Sequence, residues 1–283
     1  MPNPNKIFVK KASGEIEPFN PEKVINSLKR VGANKSEIKE VLKVLYKNLY
    51  PKITTKEIYA IVFNTLRGLN KKGGTVANKY SLKKAIAQLG PTGYPFEKFF
   101  AGLLTELKFK TQTNVIIPGK CVNHEIDILA KKNNKTIFIE AKFHKKQGYK
   151  TDIKTALYVY ARYLDLKEIN GKNTEMWLIT NTKVTEEVKK FSRCRKFKVV
   201  SWDYPSGFSL REIIDKSHLH PITALASLDS FTKENLLNNG VVFCKDIKRS
   251  QNMFRNQRLY NKALEEAQSL CGKSEKELNT PKS

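Results

Sequence analysis

Apolar positions recur along the chain in two rhythms, and the changes of rhythm divide it into three parts. Ile7 and Val9 alternate with polar neighbours, a turn follows at Ala12-Ser13-Gly14, and a short stretch leads to Pro18-Phe19. That pattern predicts a β-hairpin over residues 6–19. Asn20-Pro21 then supplies an N-cap and a proline for the first helical position, ahead of Val24, Ile25, Leu28 and Val31 at helical spacing. A second helix is expected from Ser36, with Ile38, Val41, Leu42 and Leu45 on one face. Thr54 and Glu57 form a capping box for a third, carrying Ile58, Ile61, Val62 and Leu66. A connector with Lys71-Lys72-Gly73-Gly74, a helix over 76–89 and the breakers Gly90-Pro91-Thr92-Gly93 close this first part.

The second part opens with an amphipathic helix, Tyr94 to Leu107, whose apolar face holds Phe96, Phe99, Phe100, Leu103, Leu104 and Leu107. Strands are expected at 110–117, 122–130 and 136–143, with Asn133-Asn134 as a tight turn between the last two. A helix over 152–166, a strand over 176–180, a helix over 184–193 and a strand over 197–202 follow. This order makes a mixed sheet with flanking helices. The third part, from residue 205, reads as short helices, with an Asn238-Asn239-Gly240 turn and a polar tail from Ser274. The fold class expected is therefore multidomain α+β and α/β. A hairpin-plus-helices domain spans 1–90, a helix-flanked mixed sheet 91–205, and a small helical region 206–283.

Charge narrows the range of partners. Lys and Arg total 52 against 27 Asp and Glu, a net of +25. The excess is +12 over residues 1–100, +11 over 101–200 and +2 thereafter. A basic field over the first two parts points to a polyanion, in the first instance nucleic acid. No apolar run reaches the roughly 18 residues of a membrane span, and no secretory h-region precedes a cleavage site, so a cytoplasmic protein with no membrane partner is expected. The four cysteines, Cys121, Cys194, Cys244 and Cys271, lie far apart, with no zinc spacing.

Candidate chemistry lies on the second and third strands of the middle part. The second carries Asp127; the third ends in Glu140-Ala141-Lys142. The Asn-Asn turn pairs the two strands, so Asp127 can meet the end of the third, where Glu140 and Lys142 share one face. Two carboxylates beside a lysine can hold a hard divalent cation and stabilise developing charge. The tripeptide alone is uninformative, since (Asp/Glu)-x-Lys occurs seven times in the chain. Only the Glu140 copy ends an apolar strand with an Asp on the paired strand upstream. Glu97, at the edge of the helix's phenylalanine face, is placed to lean over the same end; Glu106 is the weaker alternative. His144 is either a phosphate contact or a solvated strand end. Tyr158, Tyr160, Arg162 and Tyr163 are either core or able to contact a nucleic-acid strand.

Residues 93–204 resemble the PD-(D/E)xK, or restriction-endonuclease-like, nucleases, near their Mrr-like branch. Gly93-Tyr94-Pro95-Phe96-Glu97 is similar to that branch's first-helix motif, Asp127 to its Asp, and Glu140-Ala141-Lys142 to its E-x-K. Mrr-like proteins often carry Gln where this chain has Glu140, a departure toward the Holliday-junction resolvases. The resemblance implies an Mg²⁺- or Mn²⁺-dependent endonuclease. Asp127, Glu140 and the Ala141 carbonyl would be metal ligands, with Lys142 and Glu97 catalytic. Its partner would be double-stranded or branched DNA.

Val9-Lys10-Lys11, Gly14 and Phe19-Asn20-Pro21-Glu22-Lys23-Val24 resemble the ATP-cone, a small nucleotide-binding module. Lys11 stands where the family has Arg, and one extra residue precedes Gly14. The resemblance implies ATP or dATP as an effector, with Val9, Lys10, Lys11 and Lys23 at its site. Leu225 to Ile247 weakly resembles a helix-hairpin-helix. The rival reading is a nucleotide-responsive, non-catalytic DNA-binding regulator. The cysteines of the zinc ribbon found in one such ATP-cone repressor family are missing, and the acid-acid-Lys set is intact. A homodimer is left open.

Overall fold

The computed structural model describes residues 7–69, 75–90, 92–146 and 148–271. The expected Lys71–Gly74 connector, Pro91 and the tail from Ser274 lie outside them. The first unit begins with β1 (Phe8–Lys10) and β2 (Ile16–Pro18), an antiparallel hairpin. Next come α1 (Pro21–Arg30), α2 (Lys35–Lys47), β3 (Ile53–Thr54) and α3 (Thr55–Leu69). Asn20 caps α1 by accepting from the Glu22 N–H at 2.9 Å, and the Thr54–Glu57 box opens α3. β3 runs parallel to β1 and completes a sheet of order β2-β1-β3. Val9, Leu28, Val41, Leu45, Ile53, Val62 and Leu66 fill the core beneath it.

The expected helix over 76–89 is broken at Ser81 into α4 (Thr75–Tyr80) and α5 (Leu82–Ile86). The break divides two cores. Ala77 packs with the hairpin unit, whereas Leu82, Ala85, Ile86 and Leu89 pack with the middle part.

The middle part runs α6 (Tyr94–Glu106), β4 (Lys110–Pro118), β5 (Asn123–Lys132), β6 (Lys135–Lys142), β7 (Lys150–Thr151), α7 (Ile153–Asn170), β8 (Thr174–Thr180), β9 (Lys183–Val184), α8 (Glu186–Cys194) and β10 (Lys198–Val200). Five of the strands form a sheet of order β10-β8-β6-β5-β4, and β7 and β9 make a separate pair. β4, β5 and β6 are antiparallel neighbours; β6, β8 and β10 are parallel. Period-two alternation divides the buried residues between two faces. Ile128, Ile137, Ile139, Trp177 and Ile179 meet α6; Leu129, Phe138, Met176 and Leu178 meet α7 and α8.

The last part consists of α9 (Leu210–Ser217), α10 (Ser230–Asn238) and α11 (Gln257–Cys271), joined by 3₁₀ turns. After the Asn238-Asn239-Gly240 turn, Val241, Val242 and Phe243 are buried, and the segment that follows, Cys244–Arg249, is a 3₁₀ turn. This region shares its core with α5 and α6. Phe243 packs on Phe99 at 4.9 Å between ring centroids, and Thr223 donates to the Ala85 carbonyl at 2.7 Å. Glu266 on α11 accepts from Asn78 of α4 at 2.7 Å and from the Ala226 and Ser227 N–H groups at 2.7 and 2.9 Å.

Gly102 of α6 lies against the Phe243 ring, in the space a Cβ would occupy. Gly102→Ala should destabilise the protein by about 1–3 kcal/mol through overpacking. In the Phe243→Ala background the same change should do little, which a double-mutant cycle in urea will measure.

Candidate active site

The site is built where β5 parts from β6. Their ladder runs from Lys132↔Lys135 to Ile128↔Ile139 and stops. In its place the Asp127 side chain takes over, its Oδ2 accepting the Ala141 N–H at 2.6 Å. On the other side, the β4 ladder steps from Thr113↔Ile128 to Val115↔Ile126 and skips Asn114, opposite Asp127, whose φ is +55°. Asn tolerates this left-handed backbone better than most residues. Asp127 therefore faces a fork rather than a continuous sheet.

Glu140 and Lys142 stand on the other arm of the fork. The Lys142 Nζ donates to Glu140 Oε1 at 2.6 Å. The second oxygen, Oε2, accepts from Arg162 on α7. Glu140 is buried at 4% exposure, so both of its oxygens need these partners. Glu97 enters from the first turn of α6, next to Gly93, where a Cβ would lie 3.0 Å from Glu97 Oε1.

The electrostatics show that the carboxylates feel one another. Burial, followed by the charges of Asp127, Glu140 and Glu125, pushes the Glu97 carboxyl up to about 7. Burial and then Glu140 push Asp127 up to about 6, against the Ala141 N–H, Lys142 and Arg162. Such perturbed groups in one place mark a site built for chemistry or cation binding. The structure thus brings together Glu97, Asp127, Glu140, Ala141 and Lys142. It separates Glu106, which stands at the far end of α6 and pairs with Lys245 at 3.8 Å.

Arg162 is a member of the site that sequence reading placed on the strand-contact helix instead. Beyond Glu140 it donates to the Glu125 carbonyl, and its Nε lies 3.4 Å from His124 Nδ1. His124 Nε2 in turn lies 2.7 Å from Asp165 Oδ2, and this hydrogen bond holds the Asp165 carboxyl down at about 2. No local spacing announces this relay, because its members come from β5 and α7. Tyr160 and Tyr163 belong to the core against α8 and β8, while Tyr158 is exposed beside Arg162. His144 is half-buried: its backbone exchanges two 2.8 Å bonds with the Asn181 side chain, its Nε2 lies 3.3 Å from Thr151 Oγ1, and its ring stacks on Tyr149.

In the hairpin unit, Lys11 and Lys23 both pair with the Glu17 carboxylate, at 2.7 and 2.8 Å. The hydrogen bond to Glu17 raises the Lys11 pKa, and the same lysine lowers that of Glu17. Lys10 is exposed and makes no ion pair among the described residues. Val9 requires a correction: its side chain is 4% exposed in the core under the sheet, so it shapes the hairpin rather than contacting a ligand. The hairpin turn touches the middle part, for a Cβ on Gly148 would lie 2.9 Å from Ala12 Cβ.

The fold and site define a restriction-endonuclease-like protein with a nucleotide-binding module ahead of it. The sequence matches the ATP cone domain over residues 7–87, the restriction endonuclease family Mrr_cat over 90–206, and the AF1548-like C-terminal domain over 220–271. An uncharacterized protein of Archaeoglobus fulgidus (strain ATCC 49558 / DSM 4304 / JCM 9628 / NBRC 100126 / VC-16) is 40% identical over 147 residues, 52% of this chain and 82% of that protein. The crystal structure of the protein of unknown function AF1548 covers 64% of this chain and 99% of its own, at 33% identity and a TM-score of 0.55. The chain belongs to the family of that Archaeoglobus fulgidus protein. Can2 from Sulfobacillus thermosulfidooxidans, in complex with cyclic tetra-adenylate, is similar at 17% identity and a TM-score of 0.32, over 70% of this chain and 52% of its own, too distant to carry an argument.

A raised carboxyl pKa favours the protonated folded state. Asp127 therefore detracts from stability increasingly as pH climbs from the ordinary 3.8 through about 6. In EDTA, Asp127→Asn should raise Tm at pH above that window and lose the advantage below it. Calorimetric melting across the pH range will check this.

Proposed function

We propose that this protein is a divalent-metal-dependent endonuclease that hydrolyses DNA phosphodiester bonds under the control of ATP or dATP. The carrying observation is the fork itself: two mutually repelling carboxylates, Asp127 and Glu97, stand beside a Glu140 whose charge is already matched by Lys142 and Arg162.

The donor set fits a hard cation. Among the described residues no group of three or more His, Cys, Asp or Glu has metal-holding geometry. The fit is therefore to two carboxylates and a carbonyl, Asp127, Glu140 and Ala141, with the remaining positions left to water, as Mg²⁺ or Mn²⁺ prefers. Bound there, the cation would polarise the phosphate and lower the pKa of water. Lys142 would stabilise charge building on the phosphate oxygens. Glu97, poised at about 7, would accept the attacking water's proton at its carboxylate. Arg162 would keep Glu140 oriented.

Regulation enters through the hairpin. Glu17 occupies the lysine pair that a triphosphate would claim, so nucleotide binding is an exchange of anions at Lys11 and Lys23. The turn between β1 and β2 rests on Gly148, in the segment that follows Lys142, which gives that exchange a mechanical path to the fork. No helix among the described residues is long and apolar enough to cross a membrane.

Asp127→Asn, Glu140→Gln and Lys142→Ala should each lower Mg²⁺-dependent cleavage of plasmid or branched DNA by at least about 10²-fold. DNA binding in EDTA should stay near the wild-type level. Full cleavage by any one of them, followed on gels over time, would remove that residue from the mechanism.

ATP should raise the Tm of the wild type by mass action on the folded state. Lys11→Ala combined with Lys23→Ala should reduce that shift, and adenosine should raise Tm less than ATP does. Differential scanning fluorimetry reads all three.

A further inference from the structure

A cleft of about 240 Å³ lies between the hairpin unit and the sheet domain, and nothing in the nuclease or hairpin chemistry uses it. One wall comes from the hairpin unit: Arg30 at the end of α1, Tyr59 of α3 and Tyr80 at the end of α4. The other comes from Lys83 of α5, Trp202 just after β10 and Arg211 of α9. Tyr59 and Tyr80 stack at 5.5 Å with their planes 14° apart, and the Lys83 ammonium lies 5.8 Å from the Trp202 ring centroid.

Cations outnumber acids in this cleft: Arg30, Lys79, Lys83, Lys84 and Arg211 line it with one acid, Asp215. Arg30, Lys83 and Arg211 make no ion pair among the described residues. The nearby acid Asp203 is committed to Lys183 at 2.7 Å. Asp215 is the one acid among the lining residues, and burial raises its pKa. Burial also lowers the Lys83 and Arg30 pKa values, with Arg211 adding to the effect on Arg30. Cations held facing one another in a half-buried cleft are unfavourable unless an anion joins them.

We propose that this cleft is a nucleotide-binding site. The base of one nucleotide would lie between Tyr80 on one wall and Trp202 on the other, and its phosphate between Arg30, Lys83 and Arg211. Cation-plus-aromatic lining of this kind is the chemistry that recognises nucleotides, free or within a strand. The volume, about 240 Å³, lies just below the ~300–1,000 Å³ of sites for drug-sized ligands. The site is separate from the hairpin lysines, because Lys23 lies in the first turn of α1 and Arg30 ends it. It is also near the fork. β6, β8 and β10 run parallel, so Trp202 follows β10 at the same end of the sheet as Lys142 on β6, two strands and ~10 Å away. A nucleotide here touches both units at once.

The test uses the full chain in EDTA with two probes, ATP and a short oligothymidylate. Calorimetry supplies affinities, and Trp202 fluorescence in a Trp177→Phe background reports occupancy of the cleft. Arg30→Ala with Arg211→Ala should weaken one probe by about tenfold or more and remove its fluorescence change. Lys11→Ala with Lys23→Ala should leave that component in place. Loss confined to ATP identifies a free nucleotide as the ligand; loss confined to the oligonucleotide identifies the substrate strand. If the double variant melts early, Asp215→Asn serves, and should tighten the same probe. The proposal falls if both probes bind the cleft variants with wild-type affinity. It also falls if the hairpin variant alone abolishes all nucleotide binding, a result that would leave the hairpin reading standing.

Discussion

One hydrogen bond organises the middle of this molecule: the Asp127 carboxylate accepting the Ala141 N–H at 2.6 Å. A side chain there does what a backbone carbonyl does elsewhere in the ladder, and so the sheet forks without stranding an amide. Removing main-chain pairing at that point leaves Asp127, Glu140 and Lys142 together at a strand end, while the strands below remain paired. The separation of a stiff scaffold from a splayed end is what allows acids to be held close together in spite of their repulsion.

The fork is braced from outside. Arg162 reaches across from α7 to Glu140 and the Glu125 carbonyl, and His124 and Asp165 hold Arg162 in turn. α6 brings Glu97 in from the opposite face, and α6 is itself pinned by the C-terminal region, whose Phe243 lies in the notch at Gly102. The apolar core and the polar site are therefore one mechanical system. The C-terminal helices are less an appendage than the back wall of α6.

The hairpin unit is tied to this system by α5, which continues its helices yet packs with the nuclease core, and by Glu266, which binds Asn78 of α4. Its turn also rests on Gly148. A change at Lys11 and Lys23 would thus meet a unit attached at several places rather than one swinging on a linker.

Much of this was legible in the chain. The sheet domain's strands and helices follow from apolar periodicity and turn residues, each a local property, and the E-x-K strand was singled out because only one copy ends an apolar run. What was not legible depends on distant partners. β3 has two residues and so carries no period of its own; it exists because β1 offers it an edge. The break at Ser81 reflects two cores competing for one helix. Arg162 in the acid cluster, the His124–Asp165 pair and the cation-lined cleft beside Trp202 all join residues far apart in sequence. By itself the sequence determined which segments become strands and helices and where acids and lysines sit on them, because those depend on neighbours along the chain. Only the tertiary structure decided which charges face each other and which are left facing a cleft, because that depends on how the faces are packed.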